Sequence, residues 1–479
     1  MLRPTIPTAG LLTLFLNGAA LAYMDFDPAV HFPVGDEPLG GALADFDHDG
    51  HLDLVVTSDG PDKIELLRGL GDGSLGSPTS LLTGNGSNPR GLVAGDFDLD
   101  GDQDLVVSLY GDGALRLILG DGTGQFTLGP TYPVGTEPAT VVAADFNGDG
   151  YLDVANNNRA SGDATVLINT GAGGFLAAVH YPVGAETRGI DTGDLTGDGL
   201  IDFAVSSRDD GLVRVFRNIG GGAFQVYANL SSGPDREPEA VAIASLSFDN
   251  TLDIAYPTTN HNLLIEDLVS YFVNEGGNGL SGWANSRVDG KDPLSIVIRD
   301  FDLDGRFDVV TANASTSTVS ALKNSGNCIF FAPVLYAVGQ APEAIVAGDL
   351  DHNGADDLIS INTGDGSVSV LLNRNGTPAE VAGTSDQLGV KLHPAEPNPL
   401  RGATKIAFEL PRSAPVELFI SDILGRRVRE LAHVVMGAGR HEVHWDGVGD
   451  PGARLPAGVY LINLRVAGQS TAERIVLTN

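Results

Sequence analysis

One phrase recurs along the chain and limits what it can fold into. It reads ADFDHDGHLDL from Ala44, GDFDLDGDQDL from Gly95, ADFNGDGYLDV from Ala144, GDLTGDGLIDF from Gly193, RDFDLDGRFDV from Arg299 and GDLDHNGADDL from Gly348. A decayed copy, SLSFDNTLDI, starts at Ser245. The copies begin at 45, 96, 145, 194, 245, 300 and 349, so the spacings are 51, 49, 49, 51, 55 and 49. A fixed period of this length marks a chain built from stacked supersecondary units.

The third copy shows the grammar of a unit. EPATVVAAD alternates apolar and polar residues, as a half-buried strand does. DFNGDGYLD is a turn, and YLDVANN, ATVLINT and AAVHYPVG are three further strands. Glycine, 63 of 479 residues, is near double its usual share of about 7% and suits many short strands and turns. Four short strands per unit, radially repeated, predict an all-β, seven-bladed β-propeller. A β-helix has shorter repeats. The fourth-strand phrase HYPVG at His180 also occurs as HFPVG at His31, ahead of the first full unit, and the seventh unit stops after its third strand. The strand near Val30–Val34 is therefore expected to complete the last blade and close the ring, which removes two sheet edges.

The acidic turn reads D-x-D-x-D-G-x-x-D. Carboxylates at positions 1, 3, 5 and 9 converge only if the chain curls, and glycine at position 6 permits the curl. Position 7 can add its backbone carbonyl. The donors are all hard oxygens, which suits Ca²⁺. An EF-hand would carry Glu at position 12; here that position holds Val56, Val107, Asn156, Val205, Tyr256, Thr311 and Ser360. The predicted ligands are Asp45, Asp47, Asp49, His51 and Asp53; Asp96, Asp98, Asp100, Asp102 and Asp104; Asp145, Asn147, Asp149, Tyr151 and Asp153. The later copies supply Asp194, Thr196, Asp198, Leu200 and Asp202; Asp300, Asp302, Asp304, Arg306 and Asp308; Asp349, Asp351, Asn353, Ala355 and Asp357. That gives about six Ca²⁺ sites. The fifth copy, with Ser245, Ser247, Asp249, Asn250 and Asp253, keeps two carboxylates and no glycine. The plainer alternative is Asp-rich turns held by Asx hydrogen bonds alone.

The repeat resembles the FG-GAP (VCBS-type) repeat of integrin α-chain propellers and many exported bacterial proteins. The likeness rests on the acidic loop, on the turns GDGTGQF, TGAGGF and IGGGAF, and on the prolines before the first strands (Pro38, Pro89, Pro138, Pro238). It implies seven blades with Ca²⁺ in strand-connecting loops. Thr196, Thr187 and the fifth loop depart from the pattern.

Four segments are expected. Residues 1–22 read as a signal peptide, with Arg3, an apolar run over 11–21 and a small-x-small site ending at Ala22. Residues 23–376 form the propeller and 377–389 a polar linker. Residues 390–479 form a small antiparallel β-sandwich, with strands at TKIAFEL, APVELFISD, HEVHWDG and GVYLINLRV. AEPNPLRGATKIAFELP, ISDILGRRVREL and LPAGVYLINLRV look like the C-terminal sorting domain of type IX secretion substrates. They are also similar to the Ig-like domain of flagellar hook-capping proteins, although PNPL replaces the commoner PNPF. His441, His444 and Asp446 invite a metal reading, but residues three apart on a strand face opposite sides. Trp445 is expected in the core.

The net charge of −34 argues against nucleic acid as a partner and favours cations. The single cysteine, Cys328, cannot form an intrachain disulfide. No apolar run after the leader is long enough to span a membrane. The chain carries no GxSxG, HExxH or GxxxxGK motif. The sequence therefore reads as a non-enzymatic, secreted or bacterial cell-surface propeller for binding or adhesion to an extracellular protein or glycan. Its C-terminal domain would serve secretion machinery or attachment. An exported carbohydrate-active lyase or hydrolase, or a structural surface-layer role, is the alternative. A cluster of His, Arg, Tyr and carboxylates with displaced pKa values at the channel mouth would favour an enzyme, and a broad shallow polar surface would favour binding. The ligand face is expected opposite the calcium loops, at Asn260, His261 and Glu266, with Arg90, Arg188 and Arg236 nearby.

Overall fold

The computed structural model describes residues 24–376, except 234, 248, 250, 261–265, 275–278 and 327, and most of 391–477. The expected leader and linker lie outside the described residues. Two compact units divide the chain, Met1–Gly376 and Thr377–Asn479.

The first unit is a β-propeller of four-stranded antiparallel sheets. In blade one, Pro38–Ala44, Asp53–Ser58, Lys63–Leu67 and Thr79–Leu82 pair in chain order. The next five blades repeat this order over 89–133, 138–182, 187–231, 237–287 and 293–337. The first strand of blade five is split into Glu237–Pro238 and Ala242–Ala244. Blade seven takes Pro342–Gly348, Asp357–Asn362 and Ser367–Leu371 from the end of the repeat. Its fourth strand is Val30–Pro33, which pairs antiparallel with Ser367–Leu371. The expected closure is thus present among the described residues.

The second strand of each blade explains the packing. Its residues are buried on both faces because it lies inside a stack of sheets. Side chains alternate along a strand, so Leu54 and Val56 join a core shared with Ile359 and Ile361 of blade seven. Val55, between them, joins a core shared with Leu105 and Val107 of blade two. Five further clusters link the remaining neighbours in turn. Each blade therefore buries its apolar faces only when both neighbours are present. The first strands of successive blades contact one another around the axis, including blade seven against blade one.

The phenylalanine at position 2 of an acidic loop is a knob between blades. Phe46 meets Phe126 of the next blade edge to face at 5.4 Å, Phe97 meets Phe175 at 5.9 Å and Phe146 meets Phe224 at 5.3 Å. This is the packing reason for the aromatic residue in the GDGTGQF-type turns. Cys328 is buried in the core between blades five and six. Burial pushes its thiol up to about 12, which makes it unreactive.

In the second unit, Lys391–Leu392, Thr404–Leu410 and Gly439–Trp445 form one sheet. Ala414–Asp422, Arg427–Met436, Gly458–Val466 and Gln469–Leu477 form another. Ile406, Phe408, Leu418, Ile420, Ile462 and Trp445 share its core. Trp445 is buried as expected and donates its indole N–H to Val448 O at 2.9 Å. His441 stacks on Phe408 and hydrogen-bonds Gly437 O, whereas His444 is exposed. Among the described residues, no helix is long and apolar enough to cross a membrane.

Candidate calcium loops and channel mouth

The six intact acidic loops share one backbone. The position-1 carboxylate accepts the glycine N–H of position 6 in each, at 2.9–3.1 Å. The side-chain oxygen of position 5 accepts the N–H of position 7, at 2.8–3.0 Å. The position-6 glycines have φ of 85–97°, as the turn requires. Position 4 is left-handed as well: Gly148 and Gly197 take this without strain, while His48, Leu99, Leu303 and His352 do so at φ 57–59°. Nothing in the D-x-D pattern signals that second demand.

These bonds turn carboxylate oxygens inward. Asp45, Asp47 and Asp53 bring ligand atoms within 4.8 Å of one another, as do Asp96, Asp98 and Asp104, and Asp349, Asp351 and Asp357. In blade six the converging set is Asp300, Asp302 and Asp304. Asn147 replaces one carboxylate in blade three and Thr196 one in blade four. Asp96 Oδ1 is buried without a hydrogen-bond partner. Burial, reinforced by neighbouring carboxylates, pushes Asp53 and Asp104 up to about 6 and Asp357 to about 7. Hard oxygens crowded at this spacing fit Ca²⁺, which would supply the missing positive charge.

Position 9 has a second role that the sequence did not reveal. In all seven copies its carboxylate accepts the N–H of a residue at or just past the end of the third strand: Gly69, Gly120, Asn169, Asn218, Asn274, Asn324 or Asn373. In six copies it also accepts the N–H of position 2. In blade six that second oxygen, Asp308 Oδ2, is buried without a partner. The five asparagines reach further. Their amides donate to Phe97, Phe146, Leu195, Leu246 and Phe301 carbonyls in the preceding blade, at 2.7–3.0 Å.

Two loops hold a basic side chain against their acids. Arg68 pairs with Asp47 at 2.5 Å but is half exposed and also donates to Thr123 O. Lys323 is enclosed and lies on both Asp302 and Asp304.

The loops that follow the second and fourth strands lie at the opposite end of the sheets, because neighbouring strands are antiparallel. There the first strands enclose an axial channel of about 670 Å³. Arg90, Arg159, Arg188, Glu239 and Glu343 line it near this end. Arg159 pairs with Glu186 at 2.6 Å and Arg208 with Glu237 at 2.7 Å. The Arg90 guanidinium lies 3.9 Å from the Tyr110 ring centre. Burial raises Glu343 and Tyr110 and lowers Arg188, each away from its ordinary value.

Of the residues expected on the ligand face, Arg90 and Arg188 line this channel. Arg236 does not; it hydrogen-bonds Thr258 Oγ1 and Glu266 O. Asn260 is buried and tied to Asp267 and Asp235, so it offers nothing at the surface. Glu266 is exposed and pairs with Arg287 at 2.9 Å. His261 lies outside the described residues. Glu343, Arg159 and Glu239 were missed, although Glu343 and Glu239, like Arg90, directly follow the proline at a first-strand start.

The first unit is thus a β-propeller built on FG-GAP-like repeats, and the second is a FlgD Ig-like domain. Residues 45–107, 100–156, 194–256 and 300–360 match the FG-GAP-like repeat family, and residues 397–470 match the FlgD Ig-like domain. Two solved structures of similar fold are the BBS1N chain crystallised in complex with ARL6DN and soaked with lead or with mercury. The lead-soaked chain is 14% identical with a TM-score of 0.50, and the match covers 74% of this chain and 99% of that one. The mercury-soaked chain is 13% identical with a TM-score of 0.52, covering 74% and 98%. At that identity the likeness concerns the fold. No curated protein matches the chain.

Proposed function

We propose that the chain is an exported, calcium-stabilised propeller that binds an extracellular protein or glycan, with the Ig-like domain serving sorting or attachment. The observation that carries the reading is the division of labour between the two ends of the sheets. One end carries the acidic loops, closed on themselves by a repeated hydrogen-bond pattern. The other carries an irregular polar surface around the channel, where Arg90, Arg159, Arg188 and Glu343 break the sevenfold regularity. Irregular loops on a rigid scaffold are where recognition concentrates. That a propeller of similar fold, BBS1N, was crystallised in complex with a partner accords with a binding role.

Glycan and protein arrays probed with the mature chain test this, alongside Arg90→Ala and Arg188→Ala. Captured ligands should be lost by both variants and retained by Asp96→Ala in excess Ca²⁺. Capture unaffected by the mouth variants but abolished by Asp96→Ala would place recognition on the other face.

The mouth also favours a second reading. Glu343, Tyr110 and Arg188 have displaced proton affinities in one polar cluster, as acid–base sites do. Release of reducing ends or unsaturated sugars from polysaccharides, lost in Glu343→Gln, would establish the enzymatic alternative.

A further inference from the structure

Resting on the reading of the mouth as a ligand surface, the geometry points to the class of molecule it takes. We infer that the channel mouth binds a small zwitterion, its carboxylate on Arg188 and Arg90 and its ammonium on Glu343. Arg188 is three-quarters enclosed, yet its nearest acids, Glu239 at 3.5 Å and Glu186 at 3.8 Å, are too far for good hydrogen bonds. Neither its Nε, which faces Glu239, nor the Nε of Arg90 makes a hydrogen bond, and Arg90 reaches Asp59 only at 3.4 Å through Nη2. A guanidinium edge in that state matches a carboxylate, which can take two parallel N–H bonds. Glu343, from blade seven, is half-buried in the channel wall, makes no hydrogen bond or ion pair among the described residues, and sits in the field of Arg90, Arg188 and Arg159. Its oxygens can accept from a donor in the channel. A net charge of −34 opposes entry of a net anion, whereas a zwitterion arrives neutral.

Isothermal titration of the calcium-loaded chain with alanyl-alanine, its C-terminal amide, its N-acetyl form and lactate tests this, with the free amino acids as further probes. The dipeptide or an amino acid should bind. Loss of the carboxylate, or Arg188→Gln, should weaken binding about tenfold or more. Loss of the ammonium, or Glu343→Gln, should weaken it by matching factors. Melting curves check that the variants fold. The inference is overturned if no zwitterion binds, if lactate binds as well, or if Glu343→Gln changes nothing. Array ligands that still depend on Arg188 would then leave the broader binding reading standing.

A separate observation concerns the metal loops. We infer that blade six carries its own cation: the Lys323 ammonium fills the place of Ca²⁺ between Asp302 and Asp304. Lys323 is enclosed, with 9% of its side chain exposed. The equivalent positions in blades two, three, five and seven hold Leu119, Ile168, Val273 and Leu372, blade four holds the exposed Arg217, and blade one holds Arg68, which reaches Asp47 from a half-exposed position and touches one acid where Lys323 touches two. Blade six is also where position 9 loses its second backbone bond, leaving Asp308 Oδ2 without a partner. Its loop is thus arranged around an ammonium, and the expected six sites become five. Metal counting by mass spectrometry decides this. Lys323→Met should bind one more Ca²⁺ than the wild type, and Asp300→Ala in the wild-type background should lose none. Loss of one ion from Asp300→Ala, or an unchanged count in Lys323→Met that melts normally, overturns it.

Discussion

The Asp253 carboxylate accepts the backbone N–H of Asn274 at 2.8 Å. It belongs to the loop that has lost its glycine and two of its acids, yet it holds the position that its counterparts hold in every other blade. It also accepts the N–H groups of Leu246 and Ser247 at 2.8 and 2.9 Å. The ninth residue therefore survives as a backbone tie, whatever the loop does with metal.

Asp253→Ala should accordingly destabilise the propeller while leaving the calcium count unchanged. Three N–H groups would lose their acceptor at a buried site, costing roughly 2–4 kcal/mol. Melting curves and metal counting on the same sample check this. An unchanged melting temperature would show the tie to be dispensable.

Removing calcium should lower the melting temperature. With dissociation constants of about 10⁻⁴–10⁻³ M and free Ca²⁺ near 1 mM, each filled loop adds about 0.4–1.4 kcal/mol. Melting with chelator and after calcium is restored measures the sum. No shift would contradict the calcium reading.

Ring closure should depend on Phe26. It is buried, with its ring edge to face against Phe301 at 5.7 Å and Tyr336 at 5.3 Å. The Tyr336 hydroxyl donates to Met24 O at 2.6 Å beside it. Phe26→Ala should cost about 3–5 kcal/mol and raise protease sensitivity first around 24–34, where the last blade is completed. Cleavage starting elsewhere would place the weak seam in another blade.

Asp191 sets a pH dependence. It lines the channel, and burial raises it to about 6 although Ile243 N–H and Thr192 N–H both donate to it. The folded chain therefore holds a proton that the unfolded chain releases near pH 4. The stabilisation from that proton is complete below about pH 4 and is lost as pH rises to about 6, by at most ~3 kcal/mol since the channel admits solvent. Asp191→Asn should flatten the stability profile across that window. Denaturation at pH 4, 5, 6 and 7 tests it; an unaltered slope would rule out Asp191 as its source.

Much of this was legible in the chain. The 50-residue period, the alternation within each unit and the stray HFPVG phrase at His31 specified the blades and the partner of the last one, because strand periodicity and turn chemistry are local properties. The acidic loops were legible for the same reason: nine consecutive residues contain both the curl and its donors. Trp445 could be assigned to the core from its place on a strand.

What the tertiary structure decided depends on residues distant in sequence. Lys323 lies 21 residues from Asp302, and only the closed sheet lays its ammonium on that carboxylate. Asn260, expected on the ligand face, is instead buried with its amide donating to Asp235 O. Glu343 lines the same channel as Arg90 and Arg188 because the blades curve round one axis and bring the first strands of blades two, four and seven to it. The sequence by itself determined the unit and the acidic loop with its oxygen donors, since each is encoded within one repeat. The ring alone decided which side chains meet at its centre, since a central site is assembled from one or two residues of each blade and no single repeat contains it.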